Sequence, residues 1–182
     1  MQKKNVKSKE DTADCPVART MGVIGSNWTC LILRDLLLHG ARRFQDLQDS
    51  LDSIAPTTLS ERLRTLEQHG IVERRFYSMS PPRADYVLTD KGRDLFPVVV
   101  ALRQWGEDHC FLPGEPHSVL VENGTGRRVS RLELRLRDGR ILKASDTTVR
   151  KVAGSDPTPG RAAGARQTQR DKTSRKENRR KA

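Results

Sequence analysis

The sequence predicts a mainly α-helical domain with a small β-hairpin wing, the winged helix-turn-helix class, followed by a short β-like extension and a disordered basic tail. Three observations predict this class. Leucines recur at helical spacing through residues 54–69, and a glycine follows at position 70. Two stretches of strand-forming residues then flank a proline-rich turn. A short amphipathic helix joined in this way to a basic hairpin is the core of the fold.

Composition allows one ordinary domain with appendages. Of the 182 residues, 35% are hydrophobic and 4% aromatic, so we expect part of the chain to lie outside any core. Nine Lys/Arg and three Asp/Glu from position 155 onward place +6 of the net charge of +11 in the tail. A basic excess favours polyanionic partners without carrying sequence information, and a tail that is merely solvated explains it equally well.

The first third of the chain predicts three helices, over about 16–24, 27–38 and 44–51. Pro16 suits the first turn of a helix, because its missing N–H would have no partner there. Ser26 or Asn27 is expected to cap the second helix.

The helix predicted over residues 54–69 has two distinct faces. Leu59, Leu63 and Leu66 form its apolar stripe. The opposite face carries short hydrogen-bonding groups and guanidinium groups, at Thr57, Thr58, Glu61, Arg62, Arg64 and Thr65. Such groups read base edges and bind phosphates in a major groove. An ordinary amphipathic helix whose polar face meets only water would show the same pattern.

A hairpin is predicted from two strands at 71–77 and 86–88, with residues 78–83 as a proline-stiffened, basic tip. Arg83 at the tip is a better candidate than Arg74 for contacting a phosphate or the minor groove. The alternative is a plain solvated turn.

Thr89 is expected to cap a long helix that runs to about His109, within which Pro97 should kink the helix or free one carbonyl. Its apolar stripe consists of Leu95, Val98, Val99, Leu102 and Trp105. Because this stripe is longer than a domain of this size needs to cover one face, we expect it to form a homodimer interface, with intramolecular packing as the alternative.

Six segments resemble, in order and spacing, the HxlR-type transcriptional regulators: CPVARTMGVIG, NWTCLILRDLL, RRFQDL, IAPTTLSERLRTLEQHGIVER, PPRADYVLTDKG and LFPVVVALRQWGE. The resemblance runs from Cys15 to about His109. It implies a winged helix-turn-helix with extra helices at both ends that form a homodimer. It further implies a cytoplasmic bacterial or archaeal regulator that binds a pseudo-palindromic operator in double-stranded DNA.

The resemblance also implies which residues contact DNA. It places Thr57, Thr58, Ser60, Glu61, Arg62 and Arg64 on the recognition helix, Arg42 and Arg43 before the supporting helix, and Arg74, Arg75 and Arg83 on the wing. Among them Arg62 is the first choice for a base-edge or phosphate contact. Arg64 could instead pair with Glu61 or Glu67, and Glu61 could accept from a cytosine amine or simply be exposed. One departure is Ala55, where family members often have a serine or threonine.

Three cysteines at irregular spacing form neither a disulfide framework nor a zinc pattern, which indicates a reducing, intracellular setting. A helix start favours a thiolate at Cys15, whereas Asp14 opposes it. Some HxlR-type regulators sense oxidants through a cysteine at this place, so the resemblance implies redox sensing by Cys15, with the partner subunit's Cys110 as resolving thiol. The alternative is that Cys15 is a small buried residue, as we expect for Cys30.

We therefore divide the chain into a disordered charged arm (1–14), a DNA-binding and dimerisation domain (15–110), a small β-like extension (111–154) and a disordered basic tail (155–182). No membrane span, secretory signal, cofactor, metal site or enzyme activity is predicted, and the effector stays unidentified. Two other functions fit the pattern: a non-specific architectural nucleic-acid binder, and a winged-helix module that binds proteins instead of DNA.

Overall fold

The computed structural model describes residues 14–150. The predicted arm, apart from Asp14, and the predicted basic tail lie outside the described residues. The chain forms two compact units, one ending at Leu132 and the other beginning at Glu133. The elements of the first unit are α1 (Pro16–Ile24), α2 (Asn27–His39), α3 (Phe44–Ser50), α4 (Pro56–Gln68), β1 (Val72–Met79), β2 (Pro82–Leu88), α5 (Asp90–Arg93) and α6 (Phe96–His109). The predicted winged helix-turn-helix architecture is confirmed.

The three predicted N-terminal helices are present, and local chemistry sets their ends. Pro16 occupies the first turn of α1. Ser26 caps α2 by accepting a hydrogen bond from the Thr29 N–H at 3.2 Å. At the start of α3 the Asp46 carboxylate accepts from the Arg43 N–H at 3.0 Å. These local bonds satisfy amide groups that a helix start leaves without partners.

The core lies between α2, α3, α4 and the base of the hairpin. Leu59, Leu63 and Leu66 are at most 1% exposed, which confirms the apolar stripe predicted for α4. Burying a leucine side chain stabilises the fold by about 1.5–3 kcal/mol. The other buried members of this cluster are Ile24, Ile32, Leu33, Leu36, Leu47, Leu51, Ile54, Ile71, Val72 and Leu88. Burial of one face fixes which face of α4 points outward.

The hairpin is longer than predicted. The ladder pairs Val72 with Leu88 at its base and Met79 with Pro82 at its tip, with a bulge between Phe76 and Ser78. The prediction that residues 78–83 interrupt both strands is therefore wrong. Pro82 is tolerated because it is the first residue of its strand, where the missing N–H does not break the ladder.

The single long helix predicted after Thr89 is instead two helices, α5 and α6. Thr89 caps only α5, where its Oγ1 accepts from the Gly92 N–H at 3.2 Å. Pro97 does not kink a helix interior but stands in the first turn of α6. A proline lacks the N–H that an interior position must donate, so the chain restarts the helix there.

The predicted β-like extension forms isolated bridges, not strands, in the described part of the chain. One bridge joins Val121 to Arg128 in the first unit, and another joins Arg135 to Ile141 in the second. The second unit also has a 3-10 turn, Ala144–Asp146.

The part of the extension within the first unit is held on α6 by a side-chain amide. Gln104 Nε2 donates to the Ser130 carbonyl at 3.0 Å, and Gln104 Oε1 accepts from the Leu132 N–H at 2.9 Å. Arg131 donates to the Gln104 carbonyl at 2.9 Å and pairs with Asp108. This face of α6 is consequently covered.

Among the described residues, no single helix is long and apolar enough to cross a membrane. Only α1 and α2 taken together, as a pair bent by 82°, meet the length and composition required.

Candidate DNA-binding surface

Helix α4 presents a polar face to solvent. Thr57, Ser60, Glu61 and Arg64 are exposed, while Thr58, Arg62 and Thr65 are partly buried on its flanks. Ala55 precedes the helix without a side-chain cap, as its sequence predicts. Gly70 ends the segment at φ +63°, a left-handed conformation that glycine adopts without strain.

The two arginines of α4 differ in availability. Arg64 is exposed and forms no ion pair within residues 14–150. The suggested pair with Glu61 or Glu67 is not formed there, and Glu67 instead accepts from Arg74 Nε at 2.7 Å. Arg62 is partly buried, and its Nε is enclosed without a hydrogen-bond partner among these residues. Exposure therefore favours Arg64 over Arg62 for reaching a base edge.

Arg42 and Arg43 lie between α2 and α3 and behave differently. The backbone of Arg42 pairs with that of Tyr86, with N···O distances of 3.0 and 2.7 Å, which ties this segment to the hairpin. Its side-chain Nε is enclosed and lacks a partner in the described residues. Arg43 is 64% exposed, 5.4 Å over the Tyr77 ring and 4.0 Å from Asp85. Arg43 is the more accessible of the two.

The wing adds two arginines and an aromatic pair. Arg75 is 70% exposed at 3.7 Å from Glu73, and Arg83 is exposed at the tip. Phe76 and Tyr77 are each 49% exposed. These two rings were not among the predicted site residues, although their place directly after two arginines could have indicated them. Exposed rings among guanidinium groups suit contact with the sugar-phosphate backbone or the minor groove.

Tyr86 lies on β2 of the wing and is half-buried against the core. Burial raises the pKa of its phenol, the Glu67 carboxylate raises it further, and Arg74 opposes both.

The predicted apolar stripe of α6 divides between core and solvent. Leu95 and Val99 pack against the core. Val98, Leu102 and Trp105 are 41%, 55% and 61% exposed. On α1, Val17 and Met21 are also exposed. Helices at both ends of the domain therefore expose large apolar side chains.

The three cysteines are free. Cys15 is half-buried at the start of α1, and Cys110 is exposed at the end of α6. Cys30 is half-buried and its thiol donates to the Ile24 carbonyl at 3.2 Å. Burial raises the pKa of the Cys30 thiol, which keeps it protonated. Residues 14–150 contain no cluster of His, Cys, Asp and Glu able to hold a metal ion.

Residues 23–112 match the HxlR-like helix-turn-helix family. The chain is 36% identical over 144 residues to Rv3095, an uncharacterised HTH-type transcriptional regulator of Mycobacterium tuberculosis, and covers 86% of it and 79% of its own length. That match includes at least 32 residues beyond position 112, so the extension is shared with this relative.

Solved structures give the same result. The crystal structure of PA1607, a candidate transcription factor, matches with a TM-score of 0.71 and 46% identity over 80% of this chain and all of that one. The redox regulator HypR in its reduced form matches with a TM-score of 0.50 and 36% identity, covering 53% of this chain and 94% of that one.

Proposed function

Because this chain belongs to the HxlR-like helix-turn-helix family of DNA-binding transcriptional regulators, we propose that it recognises a pseudo-palindromic operator as a cytoplasmic homodimer. One observation carries the proposal. Helix α4 buries its leucines completely and turns an exposed face of Thr57, Ser60 and Arg64 to solvent. Hydroxyl and guanidinium groups on an exposed helix are suited to reading base edges in a major groove.

The rest of the surface is assigned to the DNA backbone and to shape readout. In this proposal Arg43, Arg75 and Arg83 contact phosphates, and Thr58, Arg62 and Arg42 flank the recognition face. Such contacts fix orientation on the duplex, whereas base-edge contacts confer sequence specificity.

A homodimer is supported by the apolar side chains that the fold leaves uncovered. Val98, Leu102 and Trp105 of α6 point away from the core, as do Val17 and Met21 of α1. Grouped exposed apolar residues are typical of protein interfaces. A two-fold dimer places two recognition helices in successive major grooves, about one helical turn or a multiple of it apart.

Thiol-based regulation is a second part of the proposal. Its support is the free Cys15 at a helix start, the exposed Cys110, and the likeness to HypR, which is a redox regulator. In this reaction hydrogen peroxide transfers one oxygen to the Cys15 sulfur as its O–O bond breaks, which gives a sulfenic acid, and the other oxygen leaves as water. The partner subunit's Cys110 thiol then displaces water to form a disulfide.

The decisive experiment selects randomised duplex DNA on the full chain at about physiological salt. We expect an inverted repeat to be enriched, and Arg64→Ala or Thr57→Ala to lose it. A binder that is only architectural would enrich nothing while binding with strong salt dependence. A winged-helix protein-interaction module would bind a protein partner and no DNA. A charge reversal at Arg62 and Arg64 would leave this protein binding intact.

The redox part has its own test. Diamide or peroxide should give a reducible cross-link between protomers that Cys15→Ser and Cys110→Ser each abolish. If oxidation changes neither the cross-linking nor the operator affinity, Cys15 is structural.

A further inference from the structure

An apolar pocket of about 270 Å3 opens between α2 and α6, away from the polar face of α4. Leu31 and Leu37 line it from α2, Phe96 and Val99 line it from α6, and Leu120 of the extension contributes a further wall. We propose that this pocket binds a small aromatic acid, with its ring among these side chains and its carboxylate facing Arg34 and Arg103, which also line the pocket.

Pocket size sets the class of ligand. Pockets for small organic molecules begin near 300 Å3, and an apolar cavity of about half that volume already accepts benzene. The volume here therefore fits a molecule of one or two rings and is too small for a helix or a folded peptide.

Spare donors explain the preference for an acid. Arg34 uses Nε and Nη2 on Asp35, at 2.9 and 2.7 Å. Arg103 uses Nη2 on the Ser118 hydroxyl at 2.8 Å. Its Nε is enclosed and forms an ion pair with Glu107 Oε1 at 2.9 Å. Within residues 14–150, Nη1 of each guanidinium has no hydrogen-bond partner, so these are the donors left for a ligand. Each guanidinium has five N–H donors, and a carboxylate is the acceptor that matches them.

The position of the pocket indicates regulation. Helix α2 packs against both α4 and α6. A ligand in this pocket thus lies between α2, which supports the recognition helix α4, and α6, whose exposed Leu102 also lines the pocket. We expect occupancy to change the operator affinity, because it changes the spacing of the two recognition helices. That consequence rests on the proposed function, whereas the binding itself does not.

Calorimetric titration of the full chain with naphthoate tests the site. We expect one naphthoate per protomer with a Kd of roughly 10 µM to 1 mM, given the usual binding energy per ligand atom. Leu120→Trp enlarges a partly exposed side chain that lines the pocket and should abolish binding. Leu112→Trp is the matched control, since Leu112 is 76% exposed and outside this pocket, and should leave the Kd unchanged.

The carboxylate has a separate test. Arg103→Gln should raise the Kd for naphthoate by about 10- to 100-fold, the usual effect of losing a hydrogen bond to a charged group. Uncharged naphthamide should bind the unaltered protein as weakly as naphthoate binds the variant. Equal affinity for acid and amide would overturn the assignment of the arginines.

Cys30 lines the same pocket, so the reactivity of its thiol reports on occupancy independently of calorimetry. In a Cys15→Ser, Cys110→Ser chain, naphthoate should slow the reaction of Cys30 with N-phenylmaleimide several-fold. Absence of binding, or binding that survives Leu120→Trp, overturns the proposal. Cys30 could also become protected as the protein concentration rises, without any naphthoate bound. That result would overturn the proposal, because it would show that a second copy of the chain occupies the pocket. Naphthoate binding without operator selection would instead count only against the proposed function.

Discussion

Arg64 and Arg74 illustrate how the fold decides what a charged side chain can do. Arg74 is held by Glu67, whereas Arg64 is exposed and free of ion pairs among the described residues. We predict that Arg64→Ala weakens operator binding by about 1–3 kcal/mol, the usual worth of a good base contact. Arg74→Ala is the matched control and should change affinity by far less. Fluorescence anisotropy with the selected operator measures both, and equal losses would remove the distinction.

Leu63 tests the other face of the same helix. The side chain is 1% exposed in the centre of the core. We predict that Leu63→Ala lowers the free energy of unfolding by about 2–5 kcal/mol, because it removes buried hydrocarbon and leaves a cavity. Glu61→Ala, on the exposed face, should change it by less than about 0.5 kcal/mol. Urea titration followed by circular dichroism compares the two, and similar stabilities would show that α4 is not anchored through its leucines.

Residue identity alone could not rank the two arginines of α4. Both Arg62 and Arg64 belong to the polar face by periodicity, and sequence reasoning preferred Arg62. Their difference depends on what packs beside the helix, which encloses Arg62 Nε and leaves Arg64 in solvent. The exposed Phe76 and Tyr77 were missed for a related reason, since aromatic residues in a strand ordinarily indicate a buried face.

The N-terminal caps of α4 and α2 allow a prediction about protein stability. Ala55 has the extended backbone of an N-cap, at φ −68° and ψ 139°, but no side-chain acceptor. We predict that Ala55→Ser stabilises the protein by about 0.5–2 kcal/mol by accepting from an amide of the first turn. Ser26 already caps α2, so Ser26→Ala should lower the free energy of unfolding by a similar amount. Thermal unfolding measures both, and an unchanged Ala55→Ser protein would indicate that another group already satisfies those amides.

Helices α1 to α4 could be predicted from the sequence because a helix is specified locally. Its apolar residues recur at helical spacing, a capping residue or proline marks its start, and a residue such as glycine marks its end. The hairpin and the helix after it were harder. Pairing of Met79 with Pro82 depends on a partner strand, and local turn residues suggested a wider loop. Pro97 was expected inside one long helix, where it would kink the helix or free one carbonyl, but it stands instead in the first turn of α6. In both cases tertiary context chose between outcomes that the local rule allowed.

Assembly is tested by charge placed on α6. We predict that Leu102→Asp shifts the protein from dimer to monomer in sedimentation velocity and lowers operator affinity at least tenfold, because a buried unpaired carboxylate opposes association. Leu112→Asp is the control, since Leu112 is more exposed and lies beyond α6. A dimer that tolerates the first change would exclude this helix as the interface.

The basic tail tests the origin of affinity for the whole molecule. Removing residues 155–182 takes away +6 of the +11 charge. We predict that the truncated protein selects the same operator but shows a shallower dependence of log K on log salt concentration, since fewer counterions are released. Loss of sequence preference on truncation would instead favour the architectural reading. Filter binding at several salt concentrations gives the slope.

Gln104 shows how a C-terminal extension can be attached to an existing winged helix-turn-helix domain. Its side-chain amide has the same donor and acceptor as a peptide unit, and it meets Ser130 and Leu132 as a neighbouring strand would. Through this one side chain, α6 offers a hydrogen-bond donor and an acceptor to a neighbouring segment, as the edge strand of a β-sheet does. In evolutionary terms, such an amide lets an appended segment be recruited without rebuilding the helix beneath it. We expect relatives that share the extension to keep an amide here, and relatives without it to vary freely.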